Sequence, residues 1–404
     1  MRKVLGFVGA VILVGVFLLA FRWHAHHSYE QVWPDIRAPQ APPPGADRDT
    51  QCEAAIPNNI PTLWGLTGPR ASDIAGLVVS RHGTRAAFAV HLKVERPVLE
   101  DSRARIGTVV LEENAQVEWA QTGLTVVSPP TLSPNGSLVA FGTYARDANT
   151  HYIGIYDCTE EAVRLIARAQ GDDLNLFPSW SPTDEWIAFI RGGNLWIVRP
   201  DGSEERQLTS EGDIISAGGE WSPEGDRIYF VRQGYRQERS GDAYAVDVGV
   251  PKQKPERLTR GIGMIGIISV SPDGKFLLGH VYSPAGREDG PGYEGTSVTW
   301  LDDPEHTGLL IGALGARSFS PDSRVIVGRR LRPTDSDTFD LWSSPMNSEN
   351  HAIIARDIDA LAWRNAWPVS DQIVFVRDDW ESVWVVRPDG TGERKVFSLH
   401  DGLE

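Results

Sequence analysis

No block of basic residues occurs in this chain. Asp and Glu outnumber Lys and Arg, and the formal charge is −15. Electrostatics therefore exclude nucleic acid as a partner and docking on an anionic lipid surface as a mode of attachment. Cysteine is nearly absent: Cys52 and Cys158 are the only thiols. An even count in an exported protein permits one disulfide between them, and two unpaired thiols is the equal alternative. No Walker loop, dinucleotide fingerprint or His/Cys ligand cluster occurs, so no nucleotide, metal or other cofactor is expected. What remains is an ordinary globular composition, 41% hydrophobic and 23% charged, in a chain long enough for a sizeable core.

The amino terminus departs from that average. Val4 to Phe21 is uncharged and apolar, long enough to cross a bilayer as a helix. Arg2 and Lys3 precede it and Trp23 follows, which keeps the terminus cytoplasmic and sets an aromatic ring at the interface. The expectation is a single-pass signal-anchor over residues 1–23, with the rest of the chain in the periplasm or cell exterior. A cleaved signal peptide and secretion is the alternative. Residues 24–61 are rich in proline, which favours an extended spacer over helix or sheet.

From Ile74 onward one element recurs. It reads SRHGTRAAFAV at Ser80, SPNGSLVAFGT at Ser133, SPTDEWIAFIR at Ser181 and SPEGDRIYFVR at Ser222. It returns as SPDGKFLLGHV at Ser271, SPDSRVIVGRR at Ser320 and a worn WPVSDQIVFVR at Trp367. Successive starts lie about 41 to 53 residues apart, the period of a four-stranded propeller blade. The chemistry is that of a turn: Ser accepts a backbone hydrogen bond, Pro presets φ, and Gly supplies the positive φ that lets a hairpin continue. An alternating strand follows, as in Ile187-Ala188-Phe189. Aromatics close the strand before the turn at Trp180, Trp221, Phe319 and Trp363, and Trp196, Trp342 and Trp384 fall at matching points further on; all are expected to pack between blades. A single blade cannot bury both faces of its sheet, whereas a ring of blades can. The fold class is therefore all-β, a seven-bladed β-propeller over residues 62–404, with six or eight blades as alternatives.

The stretch WSPTDEWIAF…NLWIVRPDGSEERQLT resembles the repeat of TolB-type WD-like propellers, also found as the propeller of the prolyl oligopeptidase and dipeptidyl peptidase families. The resemblance spans about residues 74–399. It implies the fold rather than an activity, because the shared residues are turn and packing residues. Two departures follow. The TolB family carries an α/β domain before its propeller where this chain has its linker, so a Tol–Pal role is not expected. The peptidases carry a hydrolase domain with a Gly-x-Ser-x-Gly elbow, which does not occur here, so serine peptidase activity is not expected either. The turns also lack the Trp that a sialidase Asp box needs.

Metal-binding readings are weak. His24 to His27 next to the apolar run reads as an interfacial flank. Asp335, Asp337 and Asp340 alternate as in a calcium loop but lack its central Gly and distal Glu, so calcium is a minor alternative. A geometric clue is stronger. In a four-stranded blade the first and third turns share one face of the disc, and the second turn and the connection to the next blade share the other. The second turn is long in blade 4 (QGYRQERSGD), longer in blade 5 (SPAGREDGPGYEGT) and moderate in blade 6 (RPTDSDT). Loops gathered on one face of a rigid scaffold mark a binding surface. Arg236, Arg239, Arg287, Tyr293 and Trp380 supply the arginine and aromatic character of interface hot spots. The expected function is a non-catalytic, membrane-tethered module binding a protein or cell-envelope component. An enzyme of the lactonase, lyase or glycosidase kind, with its site in the central channel, is the alternative.

Overall fold

The computed structural model describes residues 71–92, 104–113, 115–120, 124–145, 150–170, 174–210, 219–233, 241–260, 263–283, 293–303, 307–311, 316–331, 339–345, 352–362, 364–369, 371–378 and 380–399. The anchor (1–23) and linker (24–61) expected from sequence lie outside these residues.

Seven antiparallel blades follow one another along the chain, covering 71–119, 125–170, 176–207, 220–257, 264–311, 316–358 and 360–398. In each, sequential strands are spatial neighbours, running from an inner first strand to an outer fourth; blade 2 splits its first strand into two short pieces that both pair the second. Blades 4 and 5 touch through one further pairing, Gly241 with Met264. Glycine is required there, because a Cβ would sit 2.5 Å from the Met264 carbonyl oxygen.

The recurring turn is built as its residues dictate. Ser133, Ser181, Ser222, Ser271 and Ser320 are buried, and each Oγ accepts the N–H five residues on at 2.9–3.0 Å. Ser80 does the same at 3.2 Å. The Oγ–H of Ser133, Ser222, Ser271 and Ser320 in turn donates to a nearby side-chain oxygen, as from Ser271 to Asp273 at 2.7 Å and from Ser320 to Asp322 at 2.6 Å. The fourth position takes positive φ, +81° at Gly136 and +70° at Gly274, and even where it is Asp184 (+64°) or Ser323 (+61°). Adjacent turns lean on one another: Asp273 N–H donates to Ser323 Oγ at 3.1 Å, and Val369 N–H to the Arg81 carbonyl at 3.2 Å.

The core lies between blades rather than within them. Phe141, Val139 and Ile106 fill the layer between blades 1 and 2; Ile155, Ile187 and Phe189 that between 2 and 3; Leu195, Trp221 and Phe230 that between 3 and 4. Val231, Met264 and Leu277, then Leu278, Phe319 and Trp342, continue round the ring. One larger cluster, including Phe88, Phe375 and Phe397, serves blades 6, 7 and 1 together. Trp196 and Trp384 lie against these layers and Trp342 is within one. The expected packing role of the third-strand tryptophans is what the structure shows.

Two arginines repeat a further device. Arg191 ends the second strand of blade 3 and Arg377 that of blade 7. Each guanidinium stands 4.8 Å from the ring centre of its own blade's Trp196 or Trp384. Each pairs with its blade's Glu205 or Glu393. Each also donates to the outer strand of the preceding blade, Arg191 to the Ala167 carbonyl at 2.9 Å and Arg377 to the Arg356 carbonyl at 2.6 Å. Arg206 and Arg394, on the fourth strands, reach the other way, to the carbonyls of Val248 and Leu111, both at 3.1 Å.

Candidate functional site

Strand direction fixes the two faces of the disc. Each first strand runs toward the Ser-Pro-Asp-Gly turns, so the second turns share the opposite face with the inter-blade connections. The propeller also begins, at Ala71, and ends, at Ser398, on that second face. The second turns expected to be long are bounded more tightly than the sequence suggested: residues 234–240 separate the second and third strands of blade 4 and 284–292 those of blade 5, while residues 233, 241–242, 283 and 293–296 belong to the strands.

Arg236, Arg239 and Arg287 lie outside the described residues. Tyr293 opens the third strand of blade 5, its backbone paired with Ser283. Trp380 is described in detail. It occupies the second turn of blade 7 in a left-handed conformation, φ +67°, which costs a non-glycine residue about 1–3 kcal/mol and persists only where its surroundings hold it. Its N–H donates to Asp359 Oδ2 at 2.9 Å and its carbonyl accepts the Ile74 N–H at 2.7 Å. Asp359 is itself buried, and its carbonyl accepts Arg329 Nη1 at 3.0 Å. The Arg329 guanidinium lies 4.2 Å from the Phe339 ring centre.

These residues frame a cleft where blades 6, 7 and 1 meet, opening on the long-loop face. Ile74, Leu77 and Leu361 form an apolar floor, and Arg317, Arg329 and Trp380 the rim. Its enclosed part is ≈ 20 Å³, room for about one water and far short of the roughly 300–1,000 Å³ that encloses a small ligand.

The central channel holds a second feature. Arg364 leaves the first strand of blade 7 with its backbone clamped to blade 1: its carbonyl accepts the Val79 N–H at 3.2 Å, and Asn365 Nδ2 donates to the Val79 carbonyl at 2.9 Å. From that anchor the side chain crosses to the opposite wall. Nη2 is 3.1 Å from Glu220 Oε1 on blade 4, and Nη1 donates to Ser179 Oγ on blade 3. Trp221 Nε1 donates to the Ser179 carbonyl at 3.0 Å, binding those two blades together beneath the bridge. Arg364 and Glu220 keep only 13% and 17% side-chain exposure. Loss of water raises the Glu220 carboxyl above its ordinary range, and the Arg364 charge offsets this only in part.

Other candidates are less equipped for chemistry. Among the described residues no three His, Cys, Asp or Glu side chains gather as a metal would need, and of the aspartates 335, 337 and 340 only Asp340 is described. Burial pushes the half-buried Cys158 thiol up, away from the reactive thiolate; Cys52, its prospective disulfide partner, lies outside the described residues. His151, stacked on Tyr144 at 4.6 Å, is held below its usual range by burial.

Trp380, singled out from the sequence, lies at the cleft; Arg317, Arg329, Asp359, Glu220 and Arg364 were not singled out. A signal for Glu220 was present. Two places before the turn serine, the blades carry Val78, Thr131, Ser179, Ser269 and Ser318. Glu220 is the one charge at that channel position.

A family model described as the dipeptidyl peptidase IV (DPP IV) N-terminal region matches residues 133–221, from the turn of blade 2 to the first strand of blade 4. No curated protein matches the sequence. Among solved structures, the β-propeller domain of the Trilobed protease from Pyrococcus furiosus is similar at 13% identity and TM-score 0.55, over 83% of this chain and 98% of that one. The acylaminoacyl peptidase from Pyrococcus horikoshii is similar at 12% identity and TM-score 0.55, over 83% of this chain and 53% of that one; this chain thus spans about half the peptidase. A structure described as TolB from Agrobacterium tumefaciens matches at 16% identity and TM-score 0.45, over 62% of this chain and 88% of that one. At such identities the likeness is one of fold, and it rests on the two peptidase propellers.

Proposed function

We propose that this protein is a non-catalytic binding module of the cell envelope. The apolar run 1–23 tethers it to the membrane, the proline-rich stretch 24–61 spaces it, and the long-loop face engages a protein or another envelope component. Support for the first two parts is the sequence pattern. The recognition face rests on one structural observation: the Trp380 cleft opens on the face that also carries the long second turns. Its apolar floor with an arginine and tryptophan rim has the make-up of a protein-binding hot spot. The channel, where a propeller enzyme would hold substrate, is instead crossed by the Arg364–Glu220 bridge.

Affinity capture from an envelope extract tests the reading. The fragment 62–404 is compared with the same fragment after residues 284–292, between the second and third strands of blade 5, are replaced by a short Gly-Ser turn. The shortened protein keeps its thermal transition and loses most of its captured partner. Equal capture by both would remove the long loop of blade 5 from the recognition surface.

A further inference from the structure

Six of the seven blade junctions are crossed by the chain itself. The seventh, between blades 7 and 1, is not, and among the described residues neither blade lends the other a strand. A shared apolar layer holds this seam. Backbone hydrogen bonds join it from Ile74 to Trp380 (2.7 Å), from Val79 to Arg364 (3.2 Å) and from Val369 to Arg81 (3.2 Å). At the rim the Arg394 side chain reaches the Leu111 carbonyl.

Arg364 belongs to two structures at once. Its backbone is part of the seam, in parallel pairing with Val78, while its side chain is held on the far wall by Ser179 and Glu220. A residue fixed at both ends across a channel transmits the position of one wall to the other. Ring closure at this seam otherwise rests on those hydrogen bonds and that apolar layer, with no chain connection across it, and such a unit can open locally while the rest stays folded. We propose that Arg364 is a latch: its grip on blades 3 and 4 holds blade 7 against blade 1, so that releasing the side chain loosens this seam, and the Trp380 cleft built on it, while the other junctions stay closed.

A buried ion pair suits such a role better than a purely stabilising one. Desolvating both charges offsets most of their attraction, so the pair adds little net stability, yet it permits only one arrangement of the two walls. The Trp380 cleft depends on the same seam through the Ile74–Trp380 bond, which makes the latch a control on the cleft's shape. This holds whatever the cleft binds.

Hydrogen exchange read by mass spectrometry on the full-length protein separates a latch from a plain stabiliser. In R364M, amide exchange rises at least tenfold in Ala71–Val79 and in residues 360–386. It stays unchanged in Ile187–Arg191 and Arg227–Gln233. E220A, which leaves Arg364 bonded to Ser179, gives the same pattern with a smaller rise, and it carries the test alone if R364M does not fold. An even rise around the disc, or none at the seam, overturns the proposal.

Discussion

The paired clamps at Arg191 and Arg377 give the sharpest quantitative expectation, because one sequence device is used twice, at positions half a ring apart. Arg377→Met removes three contacts and keeps the aliphatic volume. The guanidinium over Trp384 contributes about 0.5–1 kcal/mol at a partly buried site. Its ion pair with Glu393, 16% and 33% exposed, adds about 0.2–1 kcal/mol. The charged hydrogen bond to the Arg356 carbonyl on blade 6 adds about 1.5–3 kcal/mol. Allowing for shared partners, the loss is about 2–4 kcal/mol, which at roughly 2 °C per kcal/mol for a domain of this size lowers the melting point by about 4–8 °C. Arg191→Met costs about 1 kcal/mol more, because Arg191 Nε also donates to Asn175 Oδ1 at 2.7 Å and Asn175 is fully buried. Lysine at either position keeps the charge but not the planar fork, so it restores less than half the loss. Thermal melts of the four variants decide this. Losses below about 0.5 kcal/mol, or full rescue by lysine, would refute the clamp.

Other expectations concern single groups. Glu220 has a folded pKa above its ordinary value of 4.5. The stability gained by its protonation is therefore full below that range and lost as pH rises through the folded value. Wild type should gain on E220Q in denaturant melts as pH falls from neutral toward 4.5; a constant gap would contradict this. Ser271→Ala strips the acceptor from the Phe276 N–H, 2.9 Å away, and should cost about 1–3 kcal/mol by urea titration. Gly142→Ala forces a Cβ to within 2.8 Å of the Asn175 carbonyl oxygen in the next blade and should cost about 1–3 kcal/mol. Gly266→Ala, with nothing within 4 Å of its Cβ position, should stay within about 0.5 kcal/mol of wild type.

The fold was legible because propeller blades are local. Ser271-Pro-Asp-Gly satisfies its own hydrogen bonds within five residues, so the turn announces itself in sequence and its recurrence counts the blades. The third-strand tryptophans were legible for the same reason, their spacing from the turn being fixed within one blade. Trp380 stood out by residue type and position in a second turn. Its strained φ and its neighbours did not, because Arg317 and Arg329 come from blade 6 and Ile74 and Leu77 from blade 1, across the ring closure. The Arg364–Glu220 bridge was least legible: it joins residues from opposite walls of the channel, and no local pattern encodes a contact across a diameter. Only superposing the repeats exposes Glu220 as a charge where other blades carry Val, Thr or Ser.

Site-directed photo-crosslinking on the full-length protein tests the choice of face most directly. A photoreactive side chain replaces Trp380, on the long-loop face, or Asp389, in the tight third turn of the same blade on the opposite face. A discrete protein adduct is expected from position 380 and none from 389. An adduct from 389 with none from 380 would place recognition on the other face and contradict it.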